Sequence, residues 1–192
     1  MKRDESVTGM KNESVYLCYL LRHHPEDVGL EMDVHGWVSV DDLIYCISKR
    51  GKYTLKQSDL ERIVLTDNKG RYRFNEDHTR IKCCQGHSIP WVIPELTYGE
   101  PPKYLYHGSN TAALKKIEAD GAIRKMKRHA VHMQADEAQA WRSAERWHLT
   151  PVVLKIDAKT MAEDGYAFGM ADNGVWCTES VPVDYICERL YH

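Results

Sequence analysis

The chain has 192 residues, 43% of them hydrophobic, a formal net charge of −2 at pH 7, ten His and six Cys. That length holds one large domain or two small ones with cores of their own, and the near-neutral balance excludes a globally basic nucleic-acid binder, so any such contact needs a local patch. No apolar run reaches the roughly 20 residues of a membrane helix, the polar start carries no signal-peptide core, and six Cys without a leader point to reduced thiols in a cytoplasmic protein.

Residues 1–12 read as a flexible tail. A first helix is expected over about residues 12–24: Asn12 or Ser14 can cap it, and Val15, Leu17, Tyr19, Leu20 and Leu21 supply apolar faces. Pro25 ends it, since the residue before a proline avoids helical angles. Arg22, His23 and His24 then fall in the last turn. In the plainer reading they complement the helix dipole; in the functional one they offer donors to an anion. After a loop from Gly29 to Gly36, residues 37–40 alternate as a short strand. Asp41 or Asp42 caps a helix over 43–49 that Gly51 stops. Thr54 and Gln57 give a capping-box pattern for a third helix, with Leu60, Ile63 and Val64 on its core side.

A hairpin follows, with residues 71–75 and 79–84 as strands. Alternation places Tyr72 and Phe74 on one face, Arg71 and Arg73 on the other, and Arg80 beside Lys82. Helices followed by a two-stranded wing with a basic face resemble a winged-helix module, a shape that contacts phosphate backbones; a merely solvated strand face is the commoner fate of such charges. The segment with Pro90, Pro94, Gly99, Pro101 and Pro102 reads as a linker, which puts a domain boundary at about 95–102.

The second half opens on a short strand, residues 104–109, that ends abruptly at His107-Gly108-Ser109. Such junctions gather side chains and backbone N–H groups where ligands bind, and are also ordinary turns. Ser109 or Asn110 caps a helix that Gly121 ends. Residues 130–133 form a strand carrying His132, residues 135–147 a helix, and residues 151–156 a buried strand. A short helix over 158–164 and strands over 174–178 and 183–190 complete the chain.

Metal and hydrolase chemistry fit poorly. There is no Cys-x-x-Cys, no His-Glu-x-x-His, no Gly-x-Ser-x-Gly elbow, no Walker loop and no Gly-x-Gly-x-x-Gly. No metal is expected. What remains is a set of cations and imidazoles: Arg22, His23, Arg71, Arg73, His87, His107, His132, Arg142 and Arg146. Arg grips phosphate oxygens in pairs and keeps its charge at any working pH, so the set suits a highly anionic substrate whose charge is stabilised electrostatically.

The blocks LLRHHP with GLEMDVHGWVSVDDL, DNKGRYRF, IKCCQGHS, YLYHGS, HAVHM, PVVLKIDA and NGVWCT with VPVDYI, in that order, resemble those of the NAD-dependent RNA 2′-phosphotransferases of tRNA splicing, from about Leu17 to Ile186. The resemblance implies an α+β fold of two lobes: a winged-helix-like RNA lobe, here 13–95, and an ADP-ribosyltransferase-like NAD lobe of mixed α/β structure, here 103–192. It implies transfer of an internal RNA 2′-phosphate to NAD⁺ through an ADP-ribosylated RNA, giving RNA 2′-OH, nicotinamide and ADP-ribose 1″,2″-cyclic phosphate. The catalytic set carries over to Arg22, His23, Arg71 and Arg146. Against the family pattern residues 147–150 hold one extra position, which makes Arg142 the alternative to Arg146. NAD contacts carry over to His107, Gly108, Ser109, His132, Asn173 and Val175, with Gly174 beside them; Val175 stands where related protein ADP-ribosyltransferases have Glu. Gln85, Gly86, His87 and Ser88 match a block at the lobe junction, and Gln85, His87, Ser88 and Arg73 are assigned to RNA or phosphate. The implied partners are NAD⁺ as co-substrate and a 2′-phosphorylated, tRNA-like RNA, with no membrane and a monomeric chain. An ADP-ribosyltransferase that caps terminal nucleic-acid phosphates is the competing activity, and a non-catalytic RNA-binding module the competing class.

Overall fold

A computed structural model describes residues 5–50, 53–147 and 149–192. It is of mixed α/β class, with six α-helices and several small sheets among the described residues. The chain divides into two compact units, Met1–Glu95 and Leu96–His192.

The first unit holds helices α1 (Glu5–Arg22), α2 (Val40–Lys49) and α3 (Gln57–Thr66), and a three-stranded antiparallel sheet in the order β1 (Val38–Ser39), β3 (Arg80–Cys83), β2 (Tyr72–Phe74). Leu17, Leu20 and Leu21 of α1 pack with Leu43 and Ile47 of α2, Leu60 and Ile63 of α3, and Ile81 of β3. Each such side chain contributes about 1.5–3 kcal/mol by leaving water. Helix α1 begins at Glu5, so residues 5–12 are helical where a tail is expected; residues 1–4 lie outside the described residues. It ends at Arg22. The His23 N–H still reaches the Tyr19 carbonyl at 3.1 Å, but His24, at φ −142° and ψ 57°, has left the helical region, as Pro25 demands, and Pro25–Val28 forms one 3₁₀ turn. His23 and His24 are therefore just past the helix.

Ser39, not Asp41 or Asp42, caps α2: its Oγ accepts the Asp42 N–H at 3.2 Å, and the two Asp serve as first-turn carboxylates. Gly51, expected to stop α2, lies outside the described residues. At α3 the Asp59 carboxylate accepts the Lys56 N–H at 3.0 Å, so the cap sits there and not at Thr54 and Gln57.

The second unit is built from β4 (Thr97–Tyr98), β5 (Tyr104–Asn110), α4 (Thr111–Asp120), β6 (Ala122–Arg124), β7 (Val131–Met133), α5 (Glu137–Ala144), β8 (Pro151–Asp157), α6 (Ala158–Glu163), β9 (Gly169–Met170), β10 (Trp176–Thr178), β11 (Ser180–Pro182) and β12 (Ile186–Leu190). Three antiparallel sheets run β12-β8-β5, β4-β9-β10-β7 and β11-β6. Paired backbone bonds of 2.8 Å between Tyr106 and Gln134 join the first two. Strand β8 is central and reads as a continuous apolar run because both its faces are covered: Val152, Val153, Leu154 and Ile156 are fully buried.

Three expectations change. Strand β5 does not stop at His107; it pairs residue for residue with β8 through to Asn110, whose side chain caps α4 by accepting the Ala113 N–H at 2.9 Å. The proline-rich stretch contributes β4, which pairs with β9. Val183–Tyr185 is a 3₁₀ turn, and only Ile186–Leu190 is strand. Gly108 decides how α5 sits. A Cβ there would lie 2.2 Å from the Ala140 carbonyl oxygen and 2.9 Å from the Ala144 nitrogen, so the helix backbone rests directly on the strand. Among the described residues, no helix is long and apolar enough to cross a membrane.

Candidate active site

In the first unit the end of α1 and the segment after β3 build one cradle. The Ser88 N–H donates to the Arg22 carbonyl at 2.9 Å, and Ser88 Oγ lies 2.8 Å from His23 Nδ1. Gly86, at φ +90°, lets the backbone turn against the Arg22 guanidinium: a Cβ there would stand 3.4 Å from Cζ and Nε. Arg22 Nε and Nη2 are buried and have no hydrogen-bond partner among the described residues, and neither has Gln85 Oε1. A buried guanidinium nitrogen without an acceptor is costly and fits a site that receives an anion. His87 is buried beside Gly36, where a Cβ would come within 2.9 Å of its Nε2.

Between Arg22 and Arg71 lie Cys18, Cys83 and Tyr72. The Tyr72 hydroxyl is held by the Ser14 carbonyl and lies 3.2 Å from Cys18 Sγ. A hydrogen bond from Cys83, with the charges of Arg22 and Arg71 behind it, pulls the Cys18 thiol well below its usual range against the opposing effect of burial. Asp67 fixes Arg71: Oδ1 accepts from Nε at 2.8 Å and from Nη2 at 2.6 Å, and Oδ2 from the backbone N–H at 2.5 Å. Burial would raise the Asp67 carboxyl, but the Arg71 bonds outweigh it and hold it below the ordinary carboxylate range. Asp67 is not among the expected site residues although it opens the DNKGRYRF block; its signal is the acid four residues before an arginine.

The basic face of the wing is largely committed inward. Besides the Arg71–Asp67 pair, Arg80 meets Asp33 at 2.8 Å, and Lys82 is buried, 2.6 Å from Glu95 and stacked over Trp37. Arg73 is exposed and stands opposite Lys82 in the ladder. Arg71, Arg80 and Lys82 are each matched by a carboxylate inside their own unit.

In the second unit, His107 directs Nδ1 to the His132 carbonyl at 2.9 Å, which places the proton on Nδ1 and leaves Nε2 as an acceptor. Burial, aided by the Arg128 charge, pushes the His107 pKa below its usual value against the effect of that bond. Ser109 is buried two residues on along β5. His132 pairs with Cys177 on β10, and a tight turn precedes that strand: the Gly174 N–H donates to the Ala171 carbonyl, and the Ala171 N–H to the Val175 carbonyl, each at 2.9 Å. Gly174 takes φ +77° in this turn, Val175 is buried, and Asn173 is half-buried. Gly108 acts through packing, as the seat of α5. Arg142 is exposed on α5; Arg146 is exposed on the 3₁₀ turn Glu145–Trp147 that follows, its Nε donating to the Ser143 carbonyl at 3.2 Å. The structure thus brings Arg22, His23, Arg71, Gln85, His87 and Ser88 into one unit, and His107, Ser109, His132, Asn173, Val175 and Arg146 into the other.

The first unit thus carries a cradle whose buried guanidinium suits an anion, and the second carries His107 and His132 on adjoining strands. Residues 10–180 match the family model described as RNA 2′-phosphotransferase, Tpt1 / KptA family, and the chain belongs to that family. It is 38% identical over 177 residues to the Escherichia coli K12 protein named "RNA 2′-phosphotransferase", covering 92% of this chain and 95% of that one. It is 39% identical over 172 residues to a Burkholderia lata protein named "Probable RNA 2′-phosphotransferase", covering 90% and 87% respectively. A Caulobacter crescentus protein of known crystal structure overlays 46% of this chain and 84% of its own with a TM-score of 0.36 and 17% identity, too remote to carry any statement.

Proposed function

We propose that this chain removes an internal 2′-phosphate from RNA by transferring it to NAD⁺ through an ADP-ribosylated RNA, releasing RNA 2′-OH, nicotinamide and ADP-ribose 1″,2″-cyclic phosphate. Membership of the 2′-phosphotransferase family supports the RNA half of this reading. The observation that carries the phosphate chemistry is the Arg22 guanidinium, buried against Gly86 with Nε and Nη2 lacking acceptors. In this reading the unit of α1–α3 and the β2–β3 wing is the winged-helix-like RNA lobe, and the unit of β4–β12 the ADP-ribosyltransferase-like NAD lobe.

The donor set fits a dinucleotide. His107, locked with Nδ1–H on the His132 carbonyl, offers Nε2 as an acceptor, and Ser109, His132 and Asn173 stand on neighbouring elements for ribose and amide groups. NAD⁺ supplies an electrophilic ribose carbon and a neutral leaving group. The 2′-phosphate is already an anion and needs no strong base; Arg22 and Arg71 offset its charge, which is how such sites lower barriers. His23, held through Nδ1 by Ser88, is the imidazole assigned to the proton of the hydroxyl that later attacks the phosphodiester. The family resemblance assigns the fourth cation of the set to Arg146 of the second unit, with Arg142 as its alternative. Val175 stands where a carboxylate would activate a protein acceptor, which favours an acceptor that is itself a phosphate.

The test is incubation with NAD⁺ and an oligoribonucleotide bearing one internal 2′-phosphate. Loss of the phosphate with formation of the cyclic ADP-ribose phosphate is expected. Neither product appearing overturns the reading, and a stable ADP-ribosylated nucleic acid replaces it with the end-capping activity.

A further inference from the structure

The segment between β6 and β7 is as cationic as any in the chain and has no part in the chemistry above. Arg124, Lys125, Lys127 and Arg128 put four cations into five residues of a protein whose net charge is −2. It is a built turn and not a loose tail: the Arg128 N–H donates to the Lys125 carbonyl at 3.0 Å, and both flanking strands are paired, β6 with β11 and β7 with β10. Met126 within it holds φ +56°, a left-handed conformation that side chains seldom adopt, and is 72% exposed. Arg124, Lys125 and Lys127 are exposed on either side of it. The contacts of the exposed pair at its start are weak ones: Lys125 meets Glu179 at 2.9 Å, an exposed pair of small worth, and Arg124 lies 3.5 Å from the backbone carbonyl of Asp120. In the wing, by contrast, Arg71, Arg80 and Lys82 each meet a carboxylate inside their own unit. At its far end the turn leads into β7, where the His132 carbonyl accepts the His107 Nδ1–H at 2.9 Å.

We propose that the turn 124–128 is an RNA-docking surface of the second unit, taking the sugar–phosphate backbone of the substrate strand, with the exposed Met126 offering apolar contact to an unstacked base. The assignment rests on the proposed function for its choice of polyanion. Phosphate contacts of this kind position a strand without reading its sequence, and each adds salt dependence. The turn is thus a length sensor: long strands gain from it and a dinucleotide does not.

The experiment compares wild type with the triple variant Arg124→Gln, Lys125→Gln, Lys127→Gln, which touches none of the proposed chemistry. Anisotropy of a labelled long oligoribonucleotide without 2′-phosphate is followed against salt, and KM and kcat are measured for a 2′-phosphorylated oligonucleotide and a 2′-phosphorylated dinucleotide. The variant is expected to bind the long strand about tenfold more weakly at low salt and to lose about 2 from the slope of log affinity against log salt, three contacts at about 0.7 each. KM for the oligonucleotide rises, while kcat, the dinucleotide KM and the NAD⁺ KM hold. Equal changes for both lengths, a rise confined to the NAD⁺ KM, an unchanged salt slope, or a wild type that binds no RNA would each overturn the proposal. A wild type that binds RNA through the turn yet transfers no phosphate leaves the docking surface standing and removes the proposed reaction instead.

Discussion

His23 and Ser88, 65 positions apart in sequence, meet at 2.8 Å between Nδ1 and Oγ, and the Ser88 N–H ties the same segment to the Arg22 carbonyl at 2.9 Å. The imidazole is thereby held in one orientation. Replacing Ser88 by Ala should lower kcat for 2′-phosphate transfer about 10- to 100-fold, the usual effect of losing such an orienting partner, with the NAD⁺ KM little changed. Ser88→Thr keeps the hydroxyl and should recover most of the loss. Steady-state kinetics of both variants checks this; equal rates in wild type and Ser88→Ala would show His23 to be idle.

Asp67 takes three bonds from Arg71 while its side chain is only 2% exposed. Asp67→Ala should leave Arg71 swinging and partly buried without its counter-charge, costing about 3 kcal/mol of stability and most of the activity. The pH dependence has a definite sign. The folded carboxyl lies below its unfolded value, so its contribution is complete above about pH 4 and is lost as pH falls through the depressed folded value. Urea unfolding at several acid pH values should show wild type losing stability there more steeply than Asp67→Asn.

Gly108→Ala is expected to be severe. The new Cβ would meet the Ala140 carbonyl at 2.2 Å, and backbone cannot give way as a side-chain tip can. About 3 kcal/mol is the scale of such overpacking, or about 10 °C in melting temperature for a chain of this size. Gly99→Ala, with nothing within 4 Å of its Cβ, is the matched control and should melt near wild type.

His107 links stability to pH in the region above that of Asp67. Burial depresses its folded pKa, so below about pH 6.5 the unfolded chain takes up a proton that the folded chain refuses. Stability from this group is full above that pH and declines as pH falls toward the folded value. His107→Asn, which keeps a donor near Nδ1, should flatten the decline between about pH 7.5 and pH 5 in thermal melts. A parallel loss in both proteins would place the titration elsewhere.

Long periodic segments were readable from sequence because their burial is local in pattern. The apolar run of β8 and the leucines of α1 state their own environment. Short strands such as β4, β6 and β9 are two or three residues long, and their existence depends on partners far away, as Thr97 depends on Met170. The junction at His107 looked like a strand end because a glycine follows it. Gly108 is there for a helix arriving from 32 positions later at Ala140, a demand that no local pattern announces. The wing shows the same limit for charge. Arg80 and Lys82 look alike in sequence, yet one is exposed beside Asp33 and the other buried under Trp37 beside Glu95. Arg22, His23 and Arg71 were candidates from the ordered blocks; Asp67 opens one of those blocks, yet its bonds to Arg71, like the built turn at 124–128, needed coordinates.

The two bare nitrogens of Arg22 also bear on how the protein lets go. A guanidinium buried without acceptors is eager for an anion and indifferent to a hydroxyl. On the proposed reaction, the strand that arrives carries a phosphate for those nitrogens and the strand that departs does not. Grip is therefore keyed to the blemish being erased: processed RNA becomes a poor tenant of the cradle the moment it is processed, and turnover proceeds without any separate device to tell finished strands from unfinished ones.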